Sequence, residues 1–166
     1  MNNDDAQKSL YLEQIGIDVW YLREYICTYC HVIAVNNPQL ILIDALAHNT
    51  HNTVANNALL YKMLLSIDIN HENVMQIFIC TANSYKCINF IKQQIKPITN
   101  QIILAFGDAV GQLLFKKSLQ DLRSKVQNYM QYLCFFTYHP EFLLFNPQYK
   151  AQAYADLLLL KTYLIG

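Results

Sequence analysis

Four stretches of this chain read as nearly unbroken apolar runs: "LILIDAL" (40–46), "VMQIFIC" (74–80), "QIILAF" (101–106) and "QYLCFFTY" (131–138). A strand with one wet face alternates apolar and polar residues, whereas a run without alternation is buried on both faces. Helical segments lie between the runs. In 53–66, Leu59, Leu60, Met63 and Leu64 share one stripe. In 83–95, Asn83 or Ser84 serves as the cap, and Cys87, Phe90, Ile91 and Gln94 line one side. Gly107 opens a third, "DAVGQLLFKKSLQ". Doubly buried strands alternating with helices predict an α/β chain, a three-layer α/β/α sandwich around a central, mostly parallel sheet of about four strands. The short run "HVIAV" (31–35) is expected to pair with 40–46 across the turn "NNPQ".

With 166 residues, no internal repeat and no linker, the folded part is one domain that needs no metal or disulfide to hold it. Twelve basic residues balance twelve acidic ones, and charged residues are only 14% of the chain. That balance argues against a free-standing nucleic-acid binder, which carries an excess of Lys and Arg on one face. Twelve Tyr and eight Phe on so weakly charged a chain leave two readings open. Part of the surface is covered by a partner, or the core is Tyr-rich with its hydroxyls reaching solvent. The start "MNNDDAQKSLY" is polar and acidic, unlike a secretory leader, and Asp44 and Lys161 interrupt the apolar stretches. Five cysteines, an odd number, are expected to be reduced thiols of a cytoplasmic protein.

Three features invite a chemical reading. "CTYCH" supplies Cys27 and Cys30, and His48 and His51 form an HxxH pair. Structural zinc requires four converging ligands, and a CxxC that runs into a strand directs its side chains to opposite faces. No metal site and no cofactor are expected. "FGDAVG" (106–111) lacks both the Lys of a phosphate-binding loop and the third Gly of a dinucleotide site. Gly107 there permits a sharp turn and Gly111 a close helix-to-sheet approach. His139 follows a strand at the edge where parallel sheets bind ligands, a place from which it can donate to a developing anion. Its structural role is to cap a helix started by Pro140, a device that Asn146 and Pro147 repeat before the last helix.

The pattern strand, "FGDAVGQLLF", strand, "TYHPEFLLFNPQYKAQAYADLLLLK" resembles the C-terminal half of the uracil-DNA glycosylase superfamily, above all its bacterial iron–sulfur branch. The matching residues are Gly107, His139, Pro140, Leu143, Pro147, Lys150, Tyr154, Asp156 and Leu157. The resemblance implies a His that stabilises the departing uracil anion. Other equipment is missing. "LIDALAHNTHNT" lacks the family's Gly-Glu-x-Pro-Gly loop and leaves Asp44 as its carboxylate. Thr81 stands where an Asn would read uracil, with Asn83 close by. Cys27, Cys30 and Cys87 sit near cluster positions, Cys80 is several residues off, and an incomplete ligand set argues against an iron–sulfur cluster.

The apolar segment 10–23 begins as a helical turn, stops at Gly16 and resumes extended. Its "LEQIGIDVWYLR" resembles the N-terminal peptide of the psi subunit family of the bacterial DNA polymerase III clamp-loader assembly, whose fold is glycosylase-like. Leu12, Gly16, Ile17, Trp20, Leu22 and Arg23 fall in register, with Ile15 where the family has Met or Leu, and "LLFNP" (143–147) answers that family's C-terminal pattern. The resemblance implies two parts: a partner-binding peptide, 1–23, and a glycosylase-like α/β domain, 24–166. It further implies that the peptide docks on the tau/gamma collar of the clamp loader, that the domain binds the chi subunit, and that no catalysis remains. The alternative is a divergent uracil-DNA glycosylase using His139 with Asp44 or Asn83.

Overall fold

The computed structural model describes residues 30–45, 53–79, 84–96 and 102–164. Among the described residues, six strands form one sheet: β1 (His31–Ile33), β2 (Leu40–Ala45), β3 (Val74–Ile79), β4 (Ile102–Phe106), β5 (Gln127–Tyr129) and β6 (Tyr132–Thr137). The described residues also form six α-helices: α1 (Thr53–Leu65), α2 (Ser84–Ile95), α3 (Gly107–Phe115), α4 (Leu119–Leu122), α5 (Pro140–Phe145) and α6 (Lys150–Leu164). The strand order is β1-β3-β2-β4-β6-β5. The four expected apolar runs are the four central strands, β3, β2, β4 and β6, and all their pairings are parallel. Leu40, Ile41, Leu42 and Ile43 are wholly buried and every residue of β4 is buried, so the missing alternation has the cause inferred for it.

Helices cover both faces, and β6 shows how they divide. Phe136 meets Phe115 of α3 edge-on, with ring centroids 5.5 Å apart, while Tyr132 on the same face donates its hydroxyl to the carbonyl of Ile95, which ends α2, at 2.6 Å. On the opposite face Phe135 meets Tyr163, and Thr137 bonds Asp156, both residues of α6. The turn after α1 is tied to α6 by Lys161 and Asp68, 2.6 Å apart, and α1 packs on α5. The result is the expected three-layer α/β/α sandwich. Gly111 of α3 sits where an added Cβ would lie 2.8 Å from Cδ1 of Leu122 and 3.2 Å from the Lys117 carbonyl oxygen.

Four local expectations are corrected. The strand 31–33 does not pair with 40–45. Both edges of β2 are taken by parallel partners, β3 and β4, and the three-residue β1 lies antiparallel on the outer side of β3, with Ile33 exposed. A strand buried on both faces must be central, and a short one with a wet side belongs at an edge. The sheet is also mixed and six-stranded, because β5 folds back on β6 through a two-residue turn. Met130 there takes a positive φ of 56° without the Asn or Gly that normally announces such a turn. The long helix expected after Gly107 breaks at Lys116, which is left-handed with φ 58°, and restarts at Ser118, whose hydroxyl caps α4 through the Asp121 N–H. Asn146 also differs from its expected role. Its side chain makes no cap bond to the following turn but donates backward to the carbonyl of Phe142 at 3.0 Å.

The buried Asp156 is the main polar tie between layers. Its Oδ2 accepts from Arg123 Nε and Nη2, at 3.0 and 2.9 Å, and from Thr137 Oγ1 at 3.1 Å. Its Oδ1 accepts from the backbone N–H and hydroxyl of Ser124, at 3.1 and 3.0 Å. Removing one member of such a group strands the opposite charge in a low-dielectric place. Asp156→Ala is therefore expected to cost about 3–5 kcal/mol in urea unfolding, whereas an exposed ion pair contributes less than about 1 kcal/mol. Gly111→Ala is expected to lose about 1–2 kcal/mol in the same measurement, since the clash with the buried Leu122 outweighs the gain in helix propensity.

Candidate active site

Because β2, β4 and β6 are parallel neighbours, their C-terminal ends meet at one edge of the sheet. The chain leaves β2 toward β3 on one side and returns to β4 on the other, so this edge is a topological switch point, where such sheets bind ligands. Each of the three strand ends contributes one residue: Asp44 from β2, Gly107 just after β4, and His139 just after β6. His139 and Asp44 are 95 residues apart in sequence and in contact in space, with Nε2 3.2 Å from Oδ2.

Two strand spacings separate β2 from β6, about 9–10 Å, so the imidazole must lean across the end of β4. Gly107 lies beneath it with φ +75°, a conformation that glycine alone adopts without strain. A Cβ there would stand 3.7 Å from the His139 Cβ, an ordinary contact, so the backbone turn rather than lack of room calls for glycine. Phe106 presents its ring edge-on to the imidazole, with centroids 6.2 Å apart. Behind His139, Tyr138 is stacked on Phe142 and carries the Arg123 guanidinium over its ring at 4.5 Å.

His139 is both a cap and a partner. It occupies the N-cap of α5 with Pro140 in the first turn, and its Nδ1 accepts the Glu141 N–H at 3.1 Å. An Nδ1 that accepts carries no proton, so the neutral ring holds its proton on Nε2 and donates it to Asp44. Asp44 Oδ1 also lies 3.2 Å from Nε2, but it is buried and receives no hydrogen bond among the described residues. Burial of the ring opposes its protonation. The hydrogen bond to Asp44, the charge of Asp44 and then that of Glu141 act the other way and prevail, so the His139 pKa is raised above its ordinary value.

A histidine N–H and a carboxylate facing one another are chemically suited to two tasks. The first donates to an oxygen that gains charge in a transition state, and the second orients a water. Here each group is engaged by the other, and the second ring nitrogen is occupied by the backbone. The structure thus brings together two of the three residues of the enzymatic alternative. Asn83 lies outside the described residues, as do Thr81, Cys27, Cys80, His48, His51 and the peptide residues Leu12, Ile15, Gly16, Ile17, Trp20, Leu22 and Arg23. Among the described residues no group of three or more His, Cys, Asp or Glu is placed to hold a metal ion, and no helix is long and apolar enough to cross a membrane.

The support behind the site was not read from the sequence. Asp156 and Arg123 were there to be found, since Asp156 interrupts the buried stripe Ala153, Leu157 and Leu160 of α6. A carboxylate on a buried stripe announces a buried donor elsewhere.

The raised pKa gives a signed expectation. A histidine whose folded pKa exceeds the unfolded value contributes stability that is present below the unfolded value and is lost as pH rises through the folded one. In an NMR titration His139 should have its midpoint above the ordinary histidine value of about 6.5. Asp44→Asn should bring the midpoint down below that value, because burial then acts with only Glu141 opposing it. A wild-type midpoint below the ordinary value would mean that burial and the Glu141 cap bond outweigh Asp44.

The family model of the uracil DNA glycosylase superfamily matches residues 44–158, a span that begins at Asp44 and contains Gly107 and His139. No curated protein matches the chain. The match covers well over half of the 166 residues and agrees with the observed α/β/α sandwich. The chain belongs to the uracil DNA glycosylase superfamily.

Proposed function

We propose that this protein is a non-catalytic adaptor of the psi type, which links the tau/gamma collar of a bacterial DNA polymerase III clamp loader to the chi subunit during replication. The observation that carries this reading is the state of His139. A glycosylase of this superfamily would need that ring free to face a flipped base and a carboxylate free to position water. In this chain Nε2 is bonded to Asp44 and Nδ1 to the Glu141 N–H, so both nitrogens are satisfied without a substrate. The balance of twelve basic and twelve acidic residues supports the same reading, since it provides no field for holding a polyanion. The peptide "LEQIGIDVWYLR" supplies the positive argument, with Trp20 as a single large anchor and Leu12, Ile15, Ile17 and Leu22 shielding it from water.

A second reading, a divergent glycosylase, draws support from one fact: His139 and Asp44 do meet at the switch-point edge within the matched span. Incubation with single-stranded DNA containing uracil separates the two. Release of uracil by the wild type that is lost in His139→Ala would replace the adaptor reading with the enzymatic one.

The adaptor reading is tested directly by capture of a clamp-loader collar on the full chain and on a chain lacking residues 1–23. The full chain should retain the collar and the truncated chain should not. Trp20→Ala should weaken collar binding by about 2–4 kcal/mol without changing the melting temperature of the domain. Retention of the collar by the truncated chain would remove the peptide from the role assigned to it.

A further inference from the structure

We infer that the outer face of α6 is a homodimer contact, on which a second copy of this chain lays its own α6 antiparallel. Ala153, Asp156, Leu157 and Leu160 form the buried stripe of the helix. Its other side is made by Ala151, Tyr154, Ala155, Leu158 and Thr162, all exposed, with Tyr154 at 48% and Leu158 at 40%. A helix side that faces water normally carries charge, and a helix apolar on every side is one that is covered. Over the roughly three turns from Ala151 to Thr162 the charged residues are Asp156 and Lys161. Neither charges the outer face: Asp156 is buried, and Lys161 is paired with Asp68 at 2.6 Å.

A charge-free centre is what contact between identical faces requires. Near a two-fold axis each group meets its own copy, so a charge there repels itself, whereas a different protein could supply the opposite sign. With the axis between Asp156 and Leu157, Ala155 of each copy lies opposite Leu158 of the other. The same register sets Ala151 opposite Thr162, and Tyr154 opposite the half-buried Leu159. Leu158 then fills the space above Ala155, as a ridge fills a groove, and the antiparallel arrangement opposes the two helix dipoles.

The face is fixed before it is used, because Arg123, Ser124 and Thr137 hold α6 through Asp156, so docking has little left to order. A pair of helices about four turns long removes on the order of 1,000 Å² from water, the low end for specific interfaces. The dimer is therefore weak, with a dissociation constant of about 10–100 μM. This inference is independent of the adaptor reading, since it uses neither the N-terminal peptide nor His139.

The test is sedimentation equilibrium of the full chain from about 5 to 500 μM, a range that brackets the expected dissociation constant. The wild type should pass from one chain to two and no further, with little dependence on salt. Leu158→Glu and Ala155→Lys, both at exposed positions, should each weaken association at least about tenfold, while melting as the wild type does at the lowest concentration. An equal mixture of the two variants should form a heterodimer. There the introduced carboxylate of one copy meets the introduced ammonium of the other, and the second Ala155–Leu158 contact stays native. A wild type that remains a single chain at the highest concentration would leave this face to a different protein and overturn the proposal. Association that both variants leave intact would place the contact elsewhere, the N-terminal peptide included, and would overturn it too. So would a mixture that stays monomeric.

Discussion

Everything at the functional edge follows from the requirement that the central strands be buried on both faces. Helices cover both faces and carry the chain back between β2, β3, β4 and β6, so these four strands run parallel. Parallel strands end at the same edge. That geometry, rather than any local motif, carries Asp44 and His139 across 95 residues to a separation of 3.2 Å. Strand β4 lies between the two, and Gly107 at its end supplies the positive-φ turn by which the chain leaves the edge.

The same edge collects polar groups that the apolar strands cannot satisfy, and the fold meets this with side chains from the other layers. Asp156 takes five donors from Arg123, Ser124 and Thr137. Arg123 in turn lies against the ring of Tyr138, the residue that precedes His139. His139 is fixed from three directions: the Glu141 N–H at Nδ1, Asp44 at Nε2, and the edge of the Phe106 ring. A side chain restrained in this way keeps its orientation whether or not anything binds. That rigidity suits a structural cap that has acquired a carboxylate neighbour.

The central sheet was legible because burial on both faces leaves a trace in each strand alone: a run without alternation. β4 and β6 needed no information from elsewhere in the chain. The pairing of β1 was not legible, since "HVIAV" fits a hairpin with β2 as well as an outer strand on β3. The choice depends on β3 and β4 already occupying both edges of β2, which is a property of the assembled sheet. β5 was missed because Met130 adopts its positive φ without the residue type that signals it. At the candidate site, His139 was legible as the cap of α5, and the structure adds to that role a bond from Nε2 to Asp44. Its partner Asp44 was recognisable only as the nearest carboxylate. The network around Asp156 was overlooked, although a charged residue between Ala153, Leu157 and Leu160 could have raised the question.

In the adaptor reading, the identity of an edge residue and the work it does are separable in this superfamily scaffold. An enzyme must leave its donor and its carboxylate partly unsatisfied, because substrate and water have to complete their hydrogen bonding. A binding subunit is under the opposite pressure, since each unsatisfied buried polar group lowers its stability with no compensating gain. The His139–Asp44 bond relieves the imidazole completely and the carboxylate in part, leaving Oδ1 as the one atom of the pair without a donor among the described residues. In the adaptor reading, this is how a glycosylase edge settles once no base has to enter it. The leftover Oδ1 is then a remnant of geometry, held there because Asp44 sits on a strand whose register is set by six residues of parallel pairing with β3.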